Sequence, residues 1–312
     1  MLDKPSREYL LKKPQVIGVG RGFKEVGGKQ TEEEAIIILV NKKLPYKSLL
    51  AEQLVPKSLD GMQTDVIEVG ELKAYRRRKS AASPVTYQIT EEVERTSRVR
   101  PAPPGVSIGH YRITAGTFGA VVYDQRTGEP FILSNNHVLA NETNGRDGRA
   151  RIGDRILQPG ALDGGDKKNN VIGTLARYVN LKASPKTNVV DCALAKPRSM
   201  DLILPDILGI GEIQGVTLPA LRMPVQKSGR TTGLTTGKIR ALNVTVDISY
   251  GAGKILRFEK QILTTPMSEG GDSGSLVFDL KNQAVGLLFA GSSQTTLLNP
   301  IEEVLALLNV RF

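Results

Sequence analysis

The sequence has no tryptophan, one cysteine and two histidines among its 312 residues, and only 5% of it is aromatic. Each scarcity excludes something. A single cysteine, Cys192, forms no intrachain disulfide, which suits a reducing cytoplasm, where we expect the protein to be. Two histidines and one cysteine are too few for the common zinc sites, and no metal or organic cofactor is expected. No apolar run approaches the roughly 20 residues of a membrane span, so no membrane partner is expected. Residues 1–14 are charged and lack an apolar signal core, so a cleaved export signal is not expected either. The net charge of +10 and a pI near 9.6 suggest nucleic acid, but the basic residues are dispersed and stacking platforms few, so that partner is not favoured.

Against this background one stretch stands out: Ser268-Glu269-Gly270-Gly271-Asp272-Ser273-Gly274-Ser275-Leu276-Val277. A serine hydroxyl is a weak nucleophile, and an acyl-transfer site gives it a neighbouring base and backbone N–H groups aimed at the developing oxyanion. Glycines on both sides of Asp272-Ser273 allow a tight turn in which the Gly271 and Ser273 N–H groups converge. Taken alone the stretch reads equally as an ordinary turn. The histidine count weights the choice, because a triad must use one of only two. His137 lies in Phe131-Ile132-Leu133-Ser134-Asn135-Asn136-His137-Val138-Leu139, an apolar run entering a polar turn, as expected of a histidine at a strand end. His110 has polar neighbours in Gly109-His110-Tyr111-Arg112 and reads as a surface or structural residue in a loop.

A triad also needs a buried acid to orient the imidazole. Asp191, in Val189-Val190-Asp191-Cys192-Ala193-Leu194-Ala195, is a carboxylate inside a small apolar strand, where an unpaired charge is costly. A structural ion pair with an arginine is its alternative role. Asp147, Asp154, Asp163, Asp166, Asp201 and Asp206 stand beside Gly, Arg, Lys or Pro and read as acids of solvated loops. Cys192 reads as a small core residue, not a nucleophile.

The order His137, Asp191, Ser273, with the phrases I-L-S-N-N-H-V-L-A-N, G-D-R-I-L-Q-P-G, K-S-G-R-T-T-G-L-T-T-G and E-G-G-D-S-G-S-L, resembles the chymotrypsin-like serine peptidases. S-N-N-H-V-L is similar to the histidine strand of the HtrA branch, and the chain as a whole resembles the bacterial relatives of the plant narrow-leaf proteins. The resemblance implies a mainly β chain: a two-barrel peptidase domain at 106–312 behind a small α+β N-terminal domain. It also implies a first specificity pocket walled by Met267, Gly270, Phe289, Ala290 and Gly291. Met267 stands where a trypsin-like enzyme places its acid, which implies a preference for small or medium apolar side chains. Phe289 stands where the family has a serine supporting the triad acid. By the same resemblance, Asp272 matches the acid that in the family helps set the serine loop. The expected partner is a peptide or protein substrate, and the expected reaction is endopeptidase cleavage through an acyl-enzyme. The alternative is a silent or partner-activated peptidase fold that binds peptides.

Residues 1–72 read as the small α+β unit, and it offers a surface for homo-oligomers. A helix is predicted over Ser6–Lys13, a hairpin turning at Gly27-Gly28-Lys29, an apolar strand at Ala35–Val40, a short helix over Ser48–Gln53 and a strand at Gln63–Val69. Gly18, Gly20 and Gly22 lead into that hairpin and not into a helix, which excludes a dinucleotide fingerprint. Residues 73–105 are basic and Pro-rich, with R-R-R-K-S-A-A-S-P and R-V-R-P-A-P-P-G, and read as a linker, within which Val85–Arg95 reads equally as strand or helix. Gly105-Val106-Ser107-Ile108-Gly109 matches G-x-S-x-G without the strand–turn–helix context and is set aside. Strands follow through Pro197, Asp201–Gly215 connects the two barrels, further strands run to Phe289, and a helix closes the pattern at Ile301–Asn309.

Overall fold

The structure is a computed structural model that describes residues 3–74 and 93–312. The expected Arg76–Lys79 cluster and most of the Val85–Arg95 segment lie outside the described residues. The chain begins with helix α1 (Lys4–Leu11), capped by Asp3, whose carboxylate accepts the Ser6 N–H at 2.8 Å. Strands β1 (Val16–Val26) and β2 (Lys29–Val40) form the predicted hairpin, followed by β3 (Ser58–Leu59), β4 (Met62–Glu68) and β5 (Lys73–Ala74). The expected helix near Ser48–Gln53 is two single 3-10 turns, Tyr46–Ser48 and Ala51–Gln53, separated by Leu49 and Leu50 in extended conformation.

The next strands are β6 (Ser107–His110), β7 (Gly116–Thr117), β8 (Ala120–Asp124) and β9 (Pro130–Ser134), then one-turn helix α2 (Asn136–Leu139). After it come β10 (Arg155–Leu157), β11 (Val171–Tyr178), β12 (Thr187–Asn188) and β13 (Ala193–Pro197). The second half supplies β14 (Pro224–Gly229), β15 (Gly233–Ser249), β16 (Ile255–Thr264), β17 (Leu276–Phe278), β18 (Ala284–Gly291) and β19 (Thr296–Pro300). Helix α3 (Ile301–Leu308) and β20 (Val310–Arg311) end the described chain.

Apart from β12, which pairs with β16, the strands from β6 to β13 form one sheet in the order β8-β9-β13-β11-β10-β6-β7, with β20 added outside β8. Bonds from Phe118 N to Val106 O (2.9 Å) and from Gly105 N to Phe118 O (2.7 Å) bring its two margins together. The second sheet closes on itself: β16-β19-β18-β17-β14-β15 ends where β15 pairs again with β16. Closure leaves few unpaired edges. Ala120, Val122, Leu133 and Leu194 meet Leu276, Leu287, Ile301 and Val304 in one apolar cluster that cements the two barrels. In α3, Ile301, Val304 and Leu308 are buried at helical spacing, and β20 then pairs with β8 across to the first barrel.

The N-terminal strands are tied into the second barrel. β1 pairs antiparallel with β15 (Gly18↔Val246, Gly22↔Ala241), so β2, β4 and β3 extend the same sheet. The close glycines explain this contact: a Cβ on Gly20 would stand 2.7 Å from Val244 Cγ2, and one on Gly22 2.6 Å from the Arg240 carbonyl. The run Ala35–Val40 is buried throughout, sandwiched between α1 and the β15–β16 sheet. The R-V-R-P-A-P-P-G stretch packs on the first barrel: Gln158 Oε1 accepts the Val99 N–H at 3.0 Å and Ala102 is buried.

Candidate active site

The two barrels meet where the first offers the end of β9 and the second offers the loop before β17. β9 ends at Ser134, and α2 then carries His137, buried to 4% exposure. The expected strand around Asp191 begins two residues later, at Ala193, so the acid sits at the mouth of β13. β13 pairs with β9 (Ala193↔Ser134), and this register sets Asp191 beside His137. Asp191 is fully buried. Its Oδ2 accepts His137 Nδ1–H at 2.6 Å and its Oδ1 accepts the His137 backbone N–H at 3.1 Å. A carboxylate can only accept, so Nδ1 carries a proton, and in the neutral imidazole the lone pair therefore falls on Nε2. That Nε2 is buried and has no hydrogen-bond partner among the described residues.

No motif in the sequence points to the third donor to Asp191. Tyr250 Oη, at the end of β15, donates to Asp191 Oδ2 at 2.6 Å. Burial opposes ionisation of Asp191, but the charge and hydrogen bonds of His137, with the Tyr250 hydroxyl, outweigh it and hold the carboxyl below its ordinary range. Burial, and then the Asp191 charge, push the Tyr250 phenol well above its ordinary range, so it stays a donor. Asn299 Oδ1 accepts the Asp191 N–H at 2.9 Å and Asn135 Nδ2 donates to the Asp191 carbonyl at 2.8 Å, fixing the backbone as well. The Cys192 thiol is pushed up by burial and by Asp191, and it packs in the inter-barrel core.

The serine loop is bolted to the first barrel. Thr117 N donates to the Ser273 carbonyl at 2.8 Å, and a Cβ on Gly116 would lie 3.0 Å from that oxygen and 2.8 Å from Val138 Cγ1. One glycine thus separates the residue after His137 from Ser273, and this places the two in one cleft. The Ser273 hydroxyl points at the Phe289 carbonyl, 3.5 Å away, and makes no hydrogen bond to His137. Gly271 has φ +104°, and a Cβ there would meet Arg230 Nη1 at 2.7 Å, so only glycine fits. Thr117 Oγ1 holds the Gly271 carbonyl at 2.9 Å and Thr231 Oγ1 the Gly270 carbonyl at 2.8 Å. Among the described residues neither the Gly271 nor the Ser273 N–H is spent on a hydrogen bond.

Asp272 anchors the loop from below. It is fully buried and accepts from Thr231 N (2.8 Å), Glu269 N (2.9 Å) and Thr232 Oγ1 (2.7 Å), with the buried ammonium of Lys227 3.4 Å away. Burial lowers the Lys227 pKa, with Asp272 opposing. The K-S-G-R-T-T-G stretch therefore cradles the serine loop, and its Arg230 pairs with Asp163 through Nε at 2.7 Å. Asp163 was expected in a solvated loop, but its carboxylate is largely buried under that guanidinium. His110, expected in a loop, is a fully buried residue of β6: Asp154 faces its Nε2 at 3.1 Å and its Nδ1 accepts the Arg112 N–H at 3.2 Å.

Met267, Gly270 and Gly291 line a cavity of about 650 Å³ beside the serine loop, with Pro266, Ser268 and Ser292. Phe289 and Ala290 are not among its lining residues. Both are fully buried, and the Phe289 ring packs 4.8 Å from Phe258, which stacks on Tyr250, because a large ring gains more in that core than at a pocket wall.

Two β-barrels with a buried histidine–carboxylate pair and a glycine-framed serine between them have the arrangement of the chymotrypsin-like serine proteases. No family model matches the chain. Among curated proteins it is similar to Streptogrisin-D of Streptomyces griseus, 30% identical over 188 residues, which is 57% of this chain and 40% of that protein. It is also similar to Serine protease 2 of Streptomyces fradiae, 40% identical over 81 residues, 26% of this chain and 44% of that one. The chain thus spans less than half the length of these curated relatives. Among solved structures, Nocardiopsis protease (TM-score 0.49, 19% identity) and Thermobifida fusca Protease A (0.48, 20%) each cover 67% of this chain and 98% of their own. The sequence likeness is thus to serine proteases, over part of this chain and of theirs.

Proposed function

We propose that the protein is a serine endopeptidase working through an acyl-enzyme. The observation that carries this reading is the asymmetry of His137: Nδ1 is clamped by a fully buried carboxylate, while Nε2 is left with a free lone pair in the cleft that holds Ser273. In the reaction the Ser273 hydroxyl turns from the Phe289 carbonyl, gives its proton to Nε2 and forms a C–O bond with the scissile carbonyl. The Gly271 and Ser273 N–H groups receive the oxyanion, each contributing about 3 kcal/mol. Collapse breaks the C–N bond, the amine leaves with the proton from Nε2, and water repeats the sequence to release the acid. Lys227 and the Thr231–Thr232 amides hold Asp272 from within the chain, so loop order needs no liberated N-terminus.

The cavity beside Met267 is the first specificity pocket of this reading, and a small or medium apolar side chain is its preferred guest. The S-N-N-H-V-L and K-S-G-R-T-T-G-L-T-T-G phrases support placing the chain with the bacterial relatives of the narrow-leaf proteins, and its lone buried thiol supports a cytoplasmic setting. A second reading, a partner-activated peptidase fold, is favoured by the Ser273 hydroxyl facing the Phe289 carbonyl and not the imidazole. A peptide library digested with the full chain and analysed by mass spectrometry tests the proposal. Cleavage after small or medium apolar residues, absent in Ser273→Ala, is expected; intact peptides with folded wild-type protein would contradict a constitutive peptidase.

A further inference from the structure

The edge of β18 nearest Ser273 is occupied by the chain itself. β17 pairs with β18 only as far as Leu276↔Leu287, yet β18 runs on to Gly291. Over that last stretch the vacated side is filled by β5, antiparallel, with Ala290↔Ala74 and Gly291↔Lys73. Its other side is held by β15, where the Ser249 N–H donates to the Leu72 carbonyl at 3.1 Å. Side chains alternate as in a strand: Leu72 and Ala74 are buried and Lys73 is exposed.

Direction matters most. From Lys73 to Ala74 the chain advances from Gly291 to Ala290, towards Phe289, whose carbonyl touches the Ser273 hydroxyl at 3.5 Å. A peptide that adds the acyl side of its scissile bond to this edge, with the attacked carbonyl at Ser273, runs the same way. β5 and the residues before it also line two cavities: Glu71 and Lys73 the one beside Met267, and Glu71, Leu72, Lys73 and Ala74 one of about 1100 Å³ beside Tyr250. A strand needed only for the sheet would complete it, but the second barrel closes without β5.

We propose that β5 is a tethered occupant of the peptide-binding edge, so that the N-terminal unit is an intramolecular competitor of extended peptide substrates. This rests on Ser273 being the nucleophile that defines the edge. The tether keeps the competitor at an effective concentration of about millimolar, so an incoming peptide first displaces the Lys73–Ala74 pairing. The anchoring of the unit through β1 and β15 holds β5 in place without making it part of the barrel.

The test separates this idea from the peptidase reading by measuring binding as well as turnover. Lys73→Pro removes a backbone N–H and strand geometry while touching only an exposed side chain; Lys73→Ala keeps both. In a Ser273→Ala background, the affinity of a fluorescent, extended, apolar hexapeptide is expected to be about tenfold higher in Lys73→Pro than in Lys73→Ala, which changes the same cavity wall but keeps the strand pairing. In the chain with Ser273 intact, KM is expected to be lower by the same factor in Lys73→Pro than in Lys73→Ala. Equal affinity and KM in Lys73→Ala and a folded Lys73→Pro chain would overturn the proposal even if every chain cleaves peptides. A gain in affinity without hydrolysis in any chain would uphold it and sink the peptidase reading. Lys73→Cys with Ser249→Cys, at paired positions, covers the case in which Lys73→Pro fails to fold. Oxidation should then weaken peptide binding about tenfold and reduction restore it; insensitivity to a disulfide shown to have formed would overturn the proposal.

Discussion

The first barrel buries two histidine–carboxylate pairs, and they differ in one nitrogen. His110 spends both ring nitrogens, one on Asp154 and one on the Arg112 N–H. His137 spends only Nδ1, and its acid is enclosed on every side, whereas Asp154 keeps 20% of its side chain in solvent. A buried imidazole with both nitrogens satisfied is a structural joint; one with a donor locked and a lone pair left over is a base. Neither burial of the imidazole nor an acidic neighbour separates the two, because both histidines have both.

Breaking the carboxylate side of the reactive pair has the largest expected effect. Asp191→Asn keeps the shape but presents an amide to Nδ1, which favours the wrong tautomer, and kcat should fall about ten-thousandfold with little change in KM. Steady-state kinetics checks this, and a loss under tenfold would remove Asp191 from the reaction. Gly271→Ala comes next, since φ +104° and the nearby Arg230 forbid a Cβ. It displaces the N–H groups assigned to the oxyanion, and a drop in kcat of about a hundredfold or more is expected. Tyr250→Phe removes one donor from a buried charge, an interaction of about 1.5–3 kcal/mol, so kcat/KM should fall about tenfold to a hundredfold. Unchanged kinetics would show that the two bonds from His137 alone hold the acid.

The smallest effect belongs to the satisfied pair and appears in stability, not rate. Burial, partly offset by Asp154, holds the His110 imidazole below its ordinary pKa. The folded value is lower than the unfolded value of about 6.5, so the unfolded chain takes up a proton first as pH falls. This contribution is full above that pH and is lost as pH drops from it towards the folded value. Thermal melts between about pH 7 and 5 should therefore show a shallower acid-side loss in His110→Gln than in wild type, with kcat unchanged. Asp154 is held below its own ordinary value and titrates outside that window. Equal slopes would contradict the assignment.

The site was legible where chemistry is written locally. The glycine-framed Ser273 loop and the shortage of histidines narrow the proposed nucleophile and base to single residues, and an aspartate in an apolar run stands out by its cost. The supports come from far along the chain. Tyr250 reaches Asp191 from the tip of a 17-residue strand, and Asn299 and Lys227 arrive from other strands of the second barrel. Only closure of that barrel brings them together. His110 was misread because polar neighbours imitate a loop, whereas its strand is buried by pairing with β10. The N-terminal hairpin and its apolar strand were visible by period. That β1 joins β15 was not, although the glycines that permit the approach stood in plain view as a motif without a helix.

Fluorophosphonate labelling followed by intact mass compares the two histidines most directly, using wild type, Ser273→Ala, His137→Ala and His110→Gln. The account predicts one adduct on wild type and on His110→Gln, and none on Ser273→Ala or His137→Ala. An adduct that survives His137→Ala, or that disappears with His110→Gln in a folded chain, would contradict it.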